Sequence, residues 1–325
     1  MKMNVKMNGQ LNELLINSMA DSLPSKTNLA NYLIDALSVS KEAAYRRLRG
    51  DVPFTLEEAT VIAHKLNLSL DKLIGREGSS EALIHMSLIK SDDAMANYDE
   101  MLKYFLRLKD VVRTDPSAKV YSATNSIPVV FCEPYEYITK FRISRWLHQS
   151  NMAKGTGSLD DVHISDKTIT LQRRVIKEFR NIPETLYVLD PNFILSFVSN
   201  IQVFAQLKFL SEEDIVKIKK ELHSLLDDLE ETAASGSFKN GGKVSMYLSN
   251  IHLDTSYGYM ESASFEISTM KLYAIHMIDA RHPDICKLQK EWIQSLRRYS
   301  ILITESSEME RLKFFSDQRE HINTL

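Results

Sequence analysis

The stretch Leu29 to Gly75, LANYLIDALSVSKEAAYRRLRGDVPFTLEEATVIAHKLNLSLDKLIG, decides how the chain is read. Its apolar residues recur at three- and four-residue steps, the spacing of short amphipathic helices. The pattern predicts a helix, a tight turn at Leu37-Ser38-Val39-Ser40, a second helix closed by Arg49-Gly50, a loop and a third helix. Ala59, Ile62, Ala63 and Leu66 mark the inner side of that third helix, and Leu68-Ser69-Leu70-Asp71-Lys72-Leu73 predicts a short closing one. Ser40 stands where a hydroxyl would cap the second helix. On that helix Ala44 and Leu48 are spaced to face inward, which turns Lys41, Glu42, Tyr45, Arg46 and Arg49 outward. Ser40 to Gly50 carries Lys41, Arg46, Arg47 and Arg49 against Glu42 alone, in a chain whose net charge is −3. Positive charge is therefore concentrated on one short helix.

In order, spacing and turn, the segment resembles the helix-turn-helix domain of the Cro and C1 repressor class, the XRE-like regulators, over residues 25–76. The resemblance implies a lambda-repressor-like fold that binds double-stranded DNA with its second helix in the major groove. Lys41, Glu42, Tyr45 and Arg46 are then expected at base edges, and Thr27, Asn28, Ser40, Arg47 and Arg49 at phosphates. The chemistry suits those places, since Lys or Arg reaches guanine O6 and N7 and Glu accepts from cytosine N4. Three positions depart from the family pattern. Ser38 stands where Gly is usual, and a left-handed backbone there costs on the order of 1 to 2 kcal/mol relative to Gly. Ile34 stands where the first helix is usually small, so the second must supply room through Ala43 or Ala44. Arg47 replaces a common aliphatic residue.

Outward from this segment the composition is that of an ordinary globular protein. The chain has 325 residues, 44% hydrophobic and 26% charged, enough for two or three domains. Its most apolar stretch, Pro191 to Leu207, contains Asn192, Ser196, Ser199, Asn200, Gln202 and Gln206 and is too short and polar to span a bilayer. The start, MKMNVKMNGQLNELL, lacks the apolar core of a secretory signal, and two cysteines cannot form a disulfide framework, so a reduced cytoplasmic setting is expected. Ten glycines leave little material for phosphate-cradling loops.

GREGSS (Gly75–Ser80) ends a small amino-terminal domain, 1–76. A central helical region, 81–235, is expected next: helical spacing over Glu81–Val112, a short strand at Lys119–Thr124, a helix from Pro134 through Trp146, a loop at Asn151–Asp160, and helices at Thr170–Phe179, Asn192–Phe209 and Glu212–Thr232, the last capped by Ser211. From Val244 the period falls to two, which begins an α+β region, 236–325, holding a small antiparallel sheet. Strands are expected within Tyr257–Ile278 and at Ile301–Ile303, with a helix around Ile285–Leu296 and a final helix opened by a Ser307–Glu310 capping box. The fold class is thus mainly α with a carboxy-terminal α+β part.

No other motif carries chemistry. Gly236 to Lys243 approaches a phosphate-binding loop, but an extra Gly precedes Lys243 and Val244 replaces the magnesium-holding hydroxyl, so a turn is expected. Cys132 and Cys286 have no neighbouring His, and His252 with Asp254, or His276 and His282, do not make a metal site. Ile215, Ile218, Leu222, Leu225 and Leu229 form an apolar seam that reads as a core stripe more readily than a coiled-coil dimer contact. Phe193, Phe197, Phe204 and Phe209 read as core. Neither catalysis, a cofactor nor a metal is expected. The expectation is a bacterial transcriptional regulator acting as a homodimer, with its remaining length sensing a small-molecule or protein effector. The alternatives are a protein-interaction adaptor built on the same motif and a DNA-linked enzyme.

Overall fold

The computed structural model describes residues 4–23, 28–66, 68, 70, 84–86, 93–112, 115–132, 135–150, 158–239, 241–263, 265–272 and 276–325. The chain divides into two compact units, Met1–Leu83 and Ile84–Leu325.

The first unit holds α1 (Asn4–Ser22), α2 (Leu29–Leu37), α3 (Lys41–Leu48) and α4 (Leu56–Leu66). Leu15 and Met19 of α1 meet Leu33 of α2, Ala44 of α3 and Ile62 of α4 in one buried cluster. Helix α1 was not anticipated, and it contributes more than apolar bulk. The Asn12 side chain accepts from Phe54 N at 3.0 Å and donates to Arg47 O at 3.5 Å, tying α1 to the end of α3 and the loop beyond it. The turn between α2 and α3 has the expected strain, because Ser38 sits at φ 55°, ψ 41°. Ala44 is fully buried and supplies the room that Ile34 requires. Gly50 closes α3 at φ 78°. The short closing helix expected at Leu68–Leu73 falls largely outside the described residues.

The second unit contains β1 (His85–Met86), α5 (Ala94–Val112), β2 (Lys119–Thr124), α6 (Glu136–Gln149), α7 (Asp166–Arg180) and β3 (Glu184–Leu189). It continues with α8 (Phe193–Gln206), α9 (Glu212–Ser235), β4 (Lys243–Ser249), β5 (Tyr257–Glu261), β6 (Glu266–Leu272), β7 (His276–Ala280), α10 (Pro283–Arg298), β8 (Ser300–Leu302) and α11 (Glu308–Asn323). Among the described residues the strands form one eight-stranded sheet in the order β1-β7-β6-β5-β2-β3-β4-β8. The pairs β2–β3 and β3–β4 are parallel and the rest antiparallel.

This corrects three expectations. The sheet is not small, not confined to 236–325 and not wholly antiparallel. The region expected to be helical supplies two of its middle strands, so residues 81–235 and 236–325 build a single sheet. Strand β3 went unread because it is buried on both sides: Thr185 to Leu189 are all buried, and such a strand shows an unbroken apolar run rather than alternation. Its Tyr187 and Leu189 face a large core with α8, α9 and α11, while Leu186 and Val188 face α10 with Cys286, Ile293 and Leu296.

Local signals held to different degrees. Ser211 caps α9 in a reciprocal box with Asp214. Ser307 makes no such box: it lies at φ 47°, ψ 52° and its side chain takes no capping hydrogen bond. The seam on α9 is core, with Ile218, Leu222, Leu225 and Leu229 fully buried within the unit. The segment after α9 is a helix-to-strand turn, in which a side chain at Gly242 would place its Cβ 1.6 Å from Ile182 O. No helix among the described residues is long and apolar enough to cross a membrane.

Candidate nucleic-acid interface

Helix α3 is short, so its placement depends on its ends. Ser40 Oγ accepts from Ala43 N at 3.2 Å, and the carbonyls of Tyr45 and Arg47 accept from the Arg49 amide at the other end. A serine cap of this kind contributes about 1 kcal/mol. Of its eight residues only Ala44 is buried, while Lys41, Glu42, Tyr45 and Arg46 are exposed. Residues 41, 42, 45 and 46 recur with the helical repeat and so share one side. That side carries two cations, one carboxylate and an aromatic ring whose residue is 39% exposed.

The residues expected at phosphates divide. Ser40 and Asn28 are exposed caps at the amino ends of α3 and α2, and Asn28 Oδ1 accepts from Ala30 N at 2.9 Å and Asn31 N at 3.3 Å. Helix amino termini carry partial positive charge that favours phosphate. Arg49 is exposed and pairs with Asp51 at 2.9 Å, a surface contact of about 0 to 1 kcal/mol that a phosphate can displace. Thr27 lies outside the described residues.

Arg47 is the exception. Its Nη2 and Nε donate to Glu58 at 2.6 and 2.9 Å, and Nη1 donates to Ala43 O at 3.2 Å. The side chains of Arg47 and Glu58 are only 14% and 18% exposed. Glu58 also accepts from Thr55 N at 3.1 Å while its own amide donates to Thr55 Oγ1 at 3.2 Å, a capping box at the start of α4. The hydrogen bond from Arg47 holds the Glu58 carboxyl below the usual range, and the same bond raises the Arg47 guanidinium. Arg47 is therefore an internal brace between α3 and α4, with its donors directed at Glu58 and Ala43 O instead of outward with Lys41 and Arg46. The departure from an aliphatic residue at 47 has its partner in Glu58, and a T-x-x-E signal at 55–58 was present in the sequence to suggest it.

The other residues singled out in the sequence do not gather into a second site here. His252 Nδ1 lies 3.6 Å from Asp190, and no group of three or more His, Cys, Asp or Glu among the described residues is arranged to hold a metal. Cys286 of α10 is buried in a cluster with Ala123 of β2 and Leu186 and Val188 of β3, and burial pushes its thiol up.

A family model described as the BetR domain matches residues 14–98, which run from within α1 through α2, α3 and α4 into α5. No curated protein and no solved structure matches the chain. The BetR-domain match is consistent with a regulatory role.

Proposed function

We propose that this protein is a sequence-specific DNA-binding transcriptional regulator of the Cro and C1 type, working as a homodimer, with the second unit as its sensing part and no catalytic activity of its own. One observation carries the reading: Lys41, Glu42, Tyr45 and Arg46 stand exposed together on a helix whose buried side is reduced to Ala44 and whose far end is braced by Arg47 and Glu58. A brace that takes one arginine out of reach of DNA leaves the others presented in a fixed orientation, which is what readout of base edges requires. In this reading Ser40, Asn28 and Arg49, all exposed, hold phosphates around it. A single module of this size buries about 600 to 1,000 Å² on DNA, so two copies on two half-sites give the needed affinity.

The test is a titration of the full chain with mixed duplex fragments from 50 to 300 mM salt. Binding that weakens steeply with salt, and falls at least tenfold when Lys41 and Arg46 are both changed to Ala, supports the reading. Binding indifferent to salt and to both substitutions overturns it and favours an adaptor.

A further inference from the structure

The second unit holds a half-open cavity of about 250 Å³ against one face of its sheet. Side chains alternate along a strand, so Ser122 of β2, Gly258 of β5, Thr269 and Lys271 of β6 and Met277 of β7 share that face through the pairings Ser122–Gly258, Gly258–Thr269 and Lys271–Met277. Helices α5, α6 and α7 form the roof, supplying Leu102, Phe105, Ile143, Val175 and Phe179. The lining is thus mostly hydrocarbon, as in small-molecule sites, and its size is close to the lower end of their range of about 300 to 1,000 Å³.

Two cations break that lining. Lys271 occupies the inward position that Ile267 holds four residues earlier on the same face, and its Nζ donates to Ser126 Oγ at 3.1 Å. Arg142 reaches the cavity from α6 and touches Cys132 Sγ. Both are partly buried and both line the cavity. No carboxylate among the described residues makes an ion pair with either. Burial, followed by repulsion from Arg142 and Arg145, pulls the Lys271 ammonium down to about 8. A buried cation is costly unless an anion or hydrogen bonds compensate it. Like charges gathered at an apolar hollow are a feature of binding sites more than of cores.

We propose that this cavity binds a small organic anion, a carboxylate or phosphate head on a hydrocarbon body, with the head held between Lys271 and Arg142. The hydrocarbon lies against Leu102, Phe105, Val175 and Phe179, and the Ser126 hydroxyl, already bonded to Lys271, is available to the head. This names the ligand class for the sensing role proposed above, and it rests on that reading only for its regulatory consequence.

Calorimetric titration of the full chain with octanoate, octyl phosphate and 1-octanol tests the site without a variant. At least one of the two anions is expected to bind ten or more times more tightly than the alcohol, and the stronger of them identifies the head group. Lys271→Met is expected to cost that anion at least tenfold while changing octanol binding less than twofold, and Lys271→Arg to retain most of the anion affinity. Because Lys271→Met removes a buried charge, its melting temperature should equal or exceed that of the parent, which a merely structural lysine would not allow. Octanol binding as tightly as both anions, absence of anion binding up to millimolar concentration, or unchanged anion affinity in Lys271→Met overturns the proposal. A duplex titration run in parallel reports on the regulator reading alone: anion binding without DNA binding overturns that reading and leaves this site standing.

Discussion

The brace between Arg47 and Glu58 can be measured directly. Fully buried ion pairs cost about 3 to 5 kcal/mol when one partner is removed, whereas exposed ones are worth about 0 to 1 kcal/mol. With side chains 14% and 18% exposed and two hydrogen bonds at 2.6 and 2.9 Å, this pair lies between those limits. Arg47→Met is therefore expected to destabilise the first unit by about 2 kcal/mol, and Glu58→Gln by a similar amount, since Glu58 also loses charge at the Thr55 capping box. A double-mutant cycle is expected to give a coupling of about 1 kcal/mol, within the range for directly contacting residues. The assay is denaturant or thermal unfolding of the full chain, read on the transition of the first unit. The pH dependence has a definite sign. A carboxyl whose folded value is lowered stabilises the fold above its unfolded value of about 4.3 and loses that contribution as pH falls through the lowered folded value. The coupling should therefore be full at pH 7, intact at pH 5 and lost in stronger acid. A coupling below about 0.3 kcal/mol at pH 7, or one that persists in strong acid, refutes the brace.

Other substitutions probe separate steps. Ser38→Gly should stabilise the first unit by about 1 kcal/mol by relieving a left-handed serine, seen as a higher melting temperature with DNA affinity preserved. Ser40→Ala should remove the cap of α3 and cost about 1 kcal/mol in the same assay. Lys271, held down to about 8 in the fold against about 10.4 in the unfolded chain, keeps its proton longer when unfolded. Stability should therefore rise as pH goes from 8 to about 10.4, by roughly 3 kcal/mol relative to Lys271→Met followed over the same range, and parallel curves for the two chains would contradict it. Gly242→Ala should destabilise the second unit by about 3 kcal/mol or more, since the added Cβ meets the Ile182 backbone, and an unchanged melting temperature would count against that packing.

Much of the first unit could be read from local signals. The α2 to α4 segments, the turn at Ser38, the cap at Ser40 and the inward Ala44 each follow from a few adjacent residues. Helix α1 carries a local signal as well, since Leu11, Leu15 and Met19 recur at four-residue steps, but what they contribute depends on the distant partners they meet in α2, α3 and α4. Arg47 stands where an aliphatic residue is common, yet its charge suggests a phosphate; its length lets it fold back to Glu58, a partner eleven residues on that no local pattern specifies. The second unit was harder. Strand β4 alternates and was seen, whereas β3 is apolar on both faces and lacks the signal that separates strand from helix. The sheet was consequently cut in two at a boundary near 235. The cavity has no sequence signature because its lining is spread over three α-helices and five strands. Lys271 does not stand out either, because four of the seven residues of β6, EISTMKL, are polar.

The most direct test of the claim that α3 reads DNA is selection of duplexes from a random-sequence pool by the full chain and by Arg46→Gln, with the enriched sequences compared. The parent should enrich two half-sites spaced by about 10 base pairs or a multiple of it, and Arg46→Gln should lose preference at one position of each half-site while retaining the others. Enrichment of no sequence by the parent, or an identical motif from both proteins, would contradict it.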